Sequence, residues 1–164
     1  NVSMCHAGHV IEAELGHASL PSSVIGVLQD VLGKKGRSFN TVESLFSGRG
    51  LAALHFALGF AETDPAQITG STTEEGTQTV VLFAQLLGLF CREMTFQYMP
   101  FGGLYLNGSV VRAISESKPA AKVIIAEAGK DKRFSGRFGQ VPLFVITEDN
   151  AALYGCARYA QLRI

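Results

Sequence analysis

The sequence predicts an α/β fold in a single domain, and three observations support this class. First, the 164 residues are 47% hydrophobic and 17% charged, which is enough apolar material to fill one compact core. Second, residues 74–97 form a largely apolar stretch that is typical of a buried central helix. Third, the C-terminal segments alternate strand, helix, strand, helix, which implies parallel strands joined by right-handed crossovers.

The charge balance argues against a polyanionic partner. Lys plus Arg equals Asp plus Glu at 14 each, so there is no basic surplus for nucleic acid or an anionic membrane surface. The longest apolar run, 80–91, is interrupted by Gln85 and is too short to span a bilayer. We therefore expect a small-molecule ligand or a second copy of the chain as partner.

The cysteines indicate a reducing, cytoplasmic compartment. Cys5, Cys91 and Cys156 are an odd number without CxxC spacing, which fits neither a disulfide framework nor a zinc site. Cys91 and Cys156 lie in apolar stretches and are predicted to be small core residues. No signal peptide is predicted. The chain does not begin with Met, as expected of a fragment or a processed form.

The first elements are a strand and a helix. Residues 8–16 are predicted to form a strand that ends in a turn, because β-branched residues occupy its centre. Residues 22–32 are predicted to form a helix that Ser22 or Ser23 caps and Gly33 ends. Its predicted apolar face is Val24, Val27, Leu28, Val31 and Leu32.

Three further helical segments follow. Residues 41–46 are predicted to form a short helix that Gly48-Arg49-Gly50 breaks, and residues 51–60 are apolar at helical spacing. Asp64-Pro65 is expected to stop that segment. Thr72-x-x-Glu75 is a capping-box pattern, and it opens the longest predicted helix, which runs from Glu74 to about Gln97.

The C-terminal third contains the alternating strands and helices. Residues 103–106 are predicted to form a strand, Asn107-Gly108 a tight turn, and Ser109 is predicted to cap the next helix. Residues 118–125 fit either strand or helix, and residues 129–140 are basic, Gly-rich and expected to form a loop. Residues 141–147 are predicted to be a buried strand, and Asp149 or Asn150 to cap a closing helix that ends near Leu162.

One candidate binding segment is Glu14-Leu15-Gly16-His17. A carboxylate and an imidazole three residues apart at a strand-to-turn corner can both point into one cleft. A carboxylate that accepts from two neighbouring hydroxyls, with a His on a third, suits a sugar. By spacing alone, a surface Glu and an ordinary turn His are the favoured interpretation.

Two other segments have the composition of a ligand site. Glu43 stands before Ser47-Gly48-Arg49-Gly50, a turn whose N–H groups could bind an oxyanion, or which is a plain loop between helices. Gly108 and Ser109 follow a strand, where α/β sheets bind ligands, or they form a structural turn. Gly155 interrupts a helix at a cost of about 1 kcal/mol, so we expect a group to pack tightly against it.

These segments, in this order, resemble the bacterial-type glucokinases of the actin-like ATPase superfamily. Glu14-Leu-Gly-His17 is similar to their Glu-Gly-Gly-His, and Glu43 through Leu51 to their Glu-Arg-x-x-Ser-Gly-Pro-Gly-Leu. Phe101 through Gly108 is similar to their adenosine turn, Phe-Gly-Gly-Val-x-x-x-Gly-Gly. The late Val-Pro-Leu-Phe-Val-Ile strand and the Leu-Tyr-Gly that ends at Gly155 complete the likeness, which covers almost the whole chain.

The resemblance implies a fold, an activity and site residues. The fold would be the C-terminal portion of a ribonuclease H-like (actin-like ATPase) large domain over residues 1–164, incomplete at its N-terminal side. The activity would be ATP-dependent phosphorylation of glucose to glucose 6-phosphate, with Mg²⁺, in a cytoplasmic homodimer. Substrate binding would fall to Glu14, His17 and Glu43, and adenosine binding to Gly108, Ser109 and Gly155.

Three departures from the family pattern bear on these expectations. Leu15 replaces a Gly in the sugar turn, Arg49 replaces a Pro, and Ser109 replaces the second Gly of the adenosine turn. In the family the catalytic base is an Asp of the small N-terminal domain, and the phosphate-binding hairpins also precede the matched part. No residue here corresponds to them, so the isolated chain is expected to be inactive and to expose an unpaired sheet edge.

Two alternative functions stay open. The chain could be a non-catalytic sugar-binding or dimerisation module built on the long apolar helix, or part of a related sugar kinase with another acceptor. A metal site at Cys5, His6 and His9 is disfavoured by their spacing. A phosphate site in the basic segment 130–137 is disfavoured in comparison with a solvated loop.

Overall fold

The computed structural model describes residues 4–6, 9–11, 13–61, 63–131 and 141–161. In chain order, the elements are β1 (Met4–His6), β2 (His9–Ile11), α1 (Ser22–Leu32), α2 (Val42–Leu45), α3 (Gly48–Ala57), α4 (Pro65–Gly70), α5 (Glu74–Tyr98), β3 (Leu104–Leu106), α6 (Ser109–Glu116), α7 (Lys118–Ala128), β4 (Leu143–Val145) and α8 (Ala151–Gln161). Short 3₁₀ turns lie at Leu15–His17 and Gly33–Ser38.

The strands form two small sheets. β1 pairs with β2 in antiparallel fashion, and β3 pairs with β4 in parallel, with Tyr105 opposite Phe144. The predicted α/β class and the parallel pairing of the late strands are therefore confirmed. Strand β1 was not predicted, and residues 129–140, predicted as a loop, lie mostly outside the described residues.

Helix α5 is the centre of the core, as its apolar sequence predicts. Most of its side chains between Thr79 and Thr95 are buried, and helices α1, α3, α4 and α7 pack around it. By length and composition alone α5 is sufficiently apolar to cross a membrane, but 72% of its most apolar window is buried inside the structure. Packing within the domain thus accounts for the apolar surface of α5.

Helices α5 and α7 approach each other closely at Gly88. A Cβ at this position would lie 2.6 Å from the Ile124 carbonyl oxygen and 2.8 Å from Glu127 Cβ. Contacts this short cannot be accommodated without moving the backbone of α7, so a glycine is required for the two helices to approach. Residues 118–125, which the sequence left ambiguous between strand and helix, are therefore placed as a helix against α5.

A buried polar pair connects α3 with α5. His55 and Thr79 are both buried, and His55 Nδ1 lies 2.7 Å from Thr79 Oγ1. The Thr79 hydroxyl donates its single proton to the Glu75 carbonyl at 3.0 Å, so it accepts from His55 Nδ1–H. This chain of hydrogen bonds satisfies both side chains inside the core.

Several predicted helix caps are wrong. Some lie one residue away from the predicted position, and some helices begin without the predicted side-chain cap. Helix α1 begins after Pro21 without a side-chain cap, rather than at Ser22 or Ser23, and Gly108, not Ser109, occupies the N-cap position of α6. The cap of α5 is Thr73, whose hydroxyl accepts from the Gly76 N–H at 3.2 Å. Neighbouring Ser and Thr residues compete for such positions, and only the backbone geometry decides among them.

Two other boundaries differ from the sequence prediction. Asp64-Pro65 starts helix α4 instead of only stopping the preceding one, because the Asp64 carboxylate accepts from the Ala66 N–H at 2.8 Å. Gly48-Arg49-Gly50 forms the first turn of α3 rather than a break before it. Val31, predicted on the apolar face of α1, is 48% exposed.

The C-terminal part is less buried than predicted. Strand β4 covers only Leu143–Val145, and Phe144 at its centre is 43% exposed, so the predicted buried strand is exposed on one face. Cys156, predicted in the core, is exposed on α8, whereas Cys91 is buried as expected. Burial raises the pKa of the Cys91 thiol to about 12.

Candidate functional site

The turn that carries Glu14 and His17 is held by its own backbone. Glu14 directly precedes the 3₁₀ turn Leu15–His17, and the His17 N–H donates to the Glu14 carbonyl at 3.1 Å. The Ala18 N–H donates to the Leu15 carbonyl at the same distance. Both Glu14 and His17 are exposed, so their polar groups are available to a ligand.

Backbone pairing brings this turn beside Glu43. Ser19 and Thr41 form an antiparallel bridge, and the Leu20 N–H donates to the Asn40 carbonyl at 3.2 Å. The Val42 N–H, one residue before Glu43, donates to the Ala18 carbonyl at 3.0 Å. Residues more than twenty positions apart in sequence therefore lie side by side, and we call Glu14, His17 and Glu43 the sugar-side cluster.

Helix α2 fixes the position of Glu43. Thr41 and Ser44 form a reciprocal capping box, in which the Ser44 N–H donates to Thr41 Oγ1 at 3.2 Å and the Thr41 N–H to Ser44 Oγ at 2.9 Å. This arrangement holds the short helix, although four residues alone would be unstable. Glu43 stands in its first turn and faces solvent.

The predicted oxyanion turn is partly occupied by the chain itself. Ser47 is the N-cap of α3, and its hydroxyl accepts from the Gly50 N–H at 3.0 Å. That N–H is therefore used by the protein, and the turn offers fewer free donors than the Ser-Gly-x-Gly pattern predicts.

Arg49 contacts the sugar-side cluster. Its guanidinium Nη2 lies 3.4 Å from Glu43 Oε1, with the two side chains 89% and 46% exposed. An ion pair this exposed contributes little to stability, so a ligand can replace Arg49 at the carboxylate at low cost. The position at which the family motif has Pro thus supplies a positive charge beside Glu43.

The second group of candidate residues lies where β3 meets α6. Gly108 has φ +127°, a backbone conformation that favours glycine, and its carbonyl accepts from the Arg112 N–H at 3.0 Å. No described atom lies within 4 Å of the position a Gly108 Cβ would take. Ser109 begins α6 and is exposed. The turn is therefore open to a flat ligand.

Gly155 does not meet the expectation of tight packing. It lies on α8, it is exposed, and a Cβ there would find no described atom within 4 Å. We call Gly108, Ser109 and Gly155 the nucleotide-side cluster, of which Gly108 and Ser109 are adjacent on β3 and α6. Gly155 stands on a different element, α8.

A cleft of about 450 Å³ lies beside the nucleotide-side cluster. It is bounded by α6 and by the segment that follows β4, and an ion pair between Arg112 and Asp149 crosses from one to the other. Its lining residues are Arg112, Ser115, Glu116, Val145, Thr147 and Asp149. The cleft was missed at the sequence level, although Asp149 follows the carboxyl end of a strand, where ligands bind in α/β folds.

The segments next to the two clusters lie close together at the start of α3. A Cβ on Gly48 would lie 3.9 Å from Val110 Cγ2 and 3.6 Å from Pro65 Cγ. Gly48 follows Ser47 of the sugar-side segment, and Val110 follows Ser109 of the nucleotide-side cluster. The segments that carry the two sets of predicted site residues are therefore near each other at this point.

The described residues contain no cluster of three metal-ligating side chains. Within residues 13–61, 63–131 and 141–161, no group of three or more His, Cys, Asp or Glu side chains lies close enough together to hold an ion. Cys5, His6 and His9, the residues weighed for a metal, have side chains outside the described set.

Known proteins match this chain along most of its length. The sequence profile of the glucokinase family matches residues 2–163. A glucokinase from Rhizobium etli is 32% identical over 133 residues, which cover 74% of this chain and 38% of that protein. A glucokinase from Pectobacterium atrosepticum is 25% identical over 162 residues, which cover 93% of this chain and 48% of that protein.

A solved structure has the same fold. The crystal structure of a glucokinase from an Antarctic psychrotroph superposes with a TM-score of 0.74 at 27% identity, covering 91% of this chain and 49% of that one. This chain therefore spans about half or less of the length of the relatives it matches. The family profile, the relatives and the shared fold lead to one conclusion: the chain belongs to the glucokinase family.

Proposed function

We propose that this chain is the glucose-binding and adenosine-binding portion of an enzyme that phosphorylates glucose at its 6-hydroxyl with ATP. The observation that carries the proposal is the backbone pairing between residues 18–20 and 40–42, which sets the Glu14–His17 turn beside Glu43. Two carboxylates and an imidazole can together accept from and orient the hydroxyls of one hexose.

The proposal assigns a role to each cluster. Glu14, His17 and Glu43 bind the sugar hydroxyls, and Arg49 is displaced from Glu43 as glucose enters. Gly108, Ser109 and Gly155 receive the adenosine. The proximity of Gly48 to Val110 supports this assignment, because these residues adjoin the segments proposed to bind the sugar and the nucleotide.

Phosphoryl transfer needs more than these residues provide. The glucose 6-hydroxyl oxygen attacks the γ-phosphorus, the bond to the β,γ-bridging oxygen breaks, and ADP leaves. By the family resemblance, the hydroxyl proton goes to an Asp that has no counterpart in these 164 residues. Mg²⁺ neutralises phosphate charge in such reactions, and no ligand set for it is assigned to the described residues.

The proposal also covers the fold, the compartment, the oligomeric state and the partners of the enzyme. The fold is proposed to be the C-terminal portion of a ribonuclease H-like large domain, and the enzyme to be a cytoplasmic homodimer that binds neither nucleic acid nor membrane. The neutral charge balance supports the lack of a nucleic-acid partner. The parallel β3–β4 pair followed by α8 supports the fold.

Titration calorimetry with glucose tests the sugar assignment on the 164-residue chain. We expect saturable heat at millimolar glucose for the wild type and a roughly tenfold or greater loss of affinity for Glu43→Gln and Glu14→Gln, because a hydrogen bond to a charged group is worth about 1.5–3 kcal/mol. Glu74→Gln, an exposed carboxylate at the start of α5, serves as the matched control and should bind as the wild type does.

Other results would contradict the assignment. Unchanged glucose affinity in Glu14→Gln and Glu43→Gln would remove both carboxylates from the site. Saturable binding of glucose with no detectable binding of adenosine would instead favour the non-catalytic sugar-binding module. Tighter binding of another hexose than of glucose would favour a related sugar kinase with a different acceptor.

A further inference from the structure

Arg49 stands in the first turn of α3 and contacts Glu43 of the sugar-side cluster. Its guanidinium Nη2 lies 3.4 Å from Glu43 Oε1, and its side chain is 89% exposed. A cation in the first turn of a helix lies at the positive end of the helix dipole, so the charge of Arg49 does not stabilise α3. An ion pair this exposed also contributes little to the stability of the fold. The charge of Arg49 is therefore better explained by an effect on ligands of the sugar-side cluster.

The junction between α2 and α3 fixes the backbone of Arg49. A Cβ at Gly50 would overlap the Leu45 carbonyl, so the end of α2 and the start of α3 are in close contact. Phe46, between the two helices, packs edge-on against Phe83 of the core with ring centroids 5.8 Å apart. The backbone is therefore held by the core, whereas the exposed Arg49 side chain can turn about its own bonds.

A sugar that binds Glu43 must separate this carboxylate from Arg49. With a neutral hexose the guanidinium loses its carboxylate partner and gains no anion in return, so the ion pair opposes binding. A hexose that carries a phosphate group supplies a new anion. The planar guanidinium of an arginine binds phosphate through two parallel hydrogen bonds. The phosphate group therefore compensates for the broken ion pair, and the two classes of sugar differ in how Arg49 affects their binding.

The charges of the sugar-side cluster make the contribution of Arg49 necessary for such a ligand. Glu14 and Glu43 are both exposed carboxylates, and two negative charges repel an approaching phosphate. Arg49 brings a positive charge into contact with one of them. Because the guanidinium can move with the incoming phosphate, it offsets this repulsion at the point where the anion binds. Without Arg49 the same cluster would discriminate against anionic sugars.

We propose that Arg49 is a specificity-determining residue that binds the phosphate group of a hexose phosphate in the sugar-side cluster. A neutral hexose competes with Arg49 for Glu43, whereas a hexose phosphate engages both side chains at once. Glucose 6-phosphate, the product of the proposed reaction, and glucose 1-phosphate are two ligands of this class with the same ring. The proposal rests on the function proposed above, because it requires that Glu14, His17 and Glu43 hold the sugar.

Titration calorimetry of the 164-residue chain with glucose, glucose 6-phosphate and glucose 1-phosphate tests the role of Arg49. In Arg49→Gln we expect at least one of the two sugar phosphates to bind about fivefold more weakly, the upper range for an exposed charge pair. Glucose should bind as in the wild type or up to about threefold more tightly, because its competitor for Glu43 is gone. General damage to the fold would instead weaken the binding of all three ligands.

Two further variants and a salt titration serve as controls. Arg49→Lys keeps the charge without the planar fork and should recover part of the affinity for the sugar phosphate. Arg37→Gln removes an exposed arginine from the 3₁₀ turn Gly33–Ser38 and should leave all three affinities unchanged. Raising NaCl from about 0.05 M to about 0.5 M should remove most of the difference between the wild type and Arg49→Gln, because salt screens exposed charges. Circular dichroism verifies that each variant is folded.

Several outcomes would overturn the role of Arg49. Unchanged affinity of Arg49→Gln for both sugar phosphates would make its contact with Glu43 an incidental surface ion pair, and an equal loss for all three ligands would make its role structural. Glucose binding that is lost in Glu43→Gln, with sugar phosphates indifferent to Arg49, refutes the role of Arg49 alone. Binding of a sugar phosphate through Arg49 without binding of glucose refutes the glucose assignment alone. A wild-type chain that binds none of the three refutes both.

Discussion

Helices α5 and α8 both carry apolar side chains, but they differ in what surrounds them. Between Thr79 and Thr95, helix α5 is mostly buried and contacts α1, α3, α4 and α7, whereas no residue of α8 is buried. The stability of α5 is therefore determined within this chain. Helix α8 lacks such packing among the described residues, so substitutions of like kind should have unequal effects in the two helices.

The largest expected difference concerns the two described thiols. Burial raises the pKa of Cys91 to about 12, and Cys156 is exposed. At pH 8 we expect iodoacetamide to label Cys156 readily and Cys91 about a thousandfold more slowly, because Cys91 reacts only when the core opens. Peptide mass spectrometry over time measures both rates. Equal rates in the native protein would mean that α5 is not a stable core helix.

Truncating one buried and one exposed leucine tests how much burial contributes to stability in each helix. Leu86 on α5 is fully buried, and Leu153 on α8 is 67% exposed. We expect Leu86→Ala to lower the free energy of unfolding by about 2–5 kcal/mol, because it leaves a cavity. Leu153→Ala should change it by less than about 0.5 kcal/mol. Urea denaturation measures both, and a comparable loss in the two variants would show that α8 is packed in the isolated chain.

Two Gly→Ala substitutions should change the stability of the protein in opposite directions. Gly88→Ala forces its Cβ against the backbone of α7, so we expect a loss of about 1–3 kcal/mol in stability. Gly155→Ala enters open space on α8 and should stabilise that helix by up to about 1 kcal/mol. Thermal unfolding followed by circular dichroism distinguishes the two. Destabilisation by Gly155→Ala would reveal a close neighbour at that position.

The smallest expected effect tests the polar pair inside the core. Thr79→Val removes the acceptor of His55 and leaves a buried N–H without a partner, at a cost of about 1–2 kcal/mol. Thr95→Val is the control, because Thr95 is also buried on α5 and its hydroxyl donates to the Cys91 carbonyl at 2.9 Å. If both variants lose equal stability in urea titrations, His55 does not depend on Thr79.

The same contrast explains which sequence predictions were confirmed. Helix α1 has the predicted bounds, α5 agrees to within a residue, and β3 lies within the predicted segment, because periodicity and turn residues act locally. The predictions for residues 141–147 and Cys156 were wrong about burial. An apolar run records a preference for burial, and the sequence does not specify whether the covering surface belongs to the same chain.

In the candidate site, too, some features were predicted from the sequence and others were not. The residue types of Glu14, His17 and Glu43 were identifiable from motif order, and their roles remain proposals. The Arg49–Glu43 pair and the cleft between α6 and the segment after β4 were not predicted. The Arg49–Glu43 pair forms only after the turn between the two residues has folded. The cleft joins segments that are distant from each other along the chain. Spacing alone does not indicate such contacts.

By itself, the sequence determined the α/β class, the buried central helix and the order of the glucokinase-like motifs, because these follow from local periodicity and residue type. Only the tertiary structure placed residues 18–20 against 40–42, brought Gly48 to Val110, and left Tyr105, Phe144 and α8 uncovered. These features depend on long-range backbone hydrogen bonds and on which surfaces have partners, and both are properties of the folded chain as a whole.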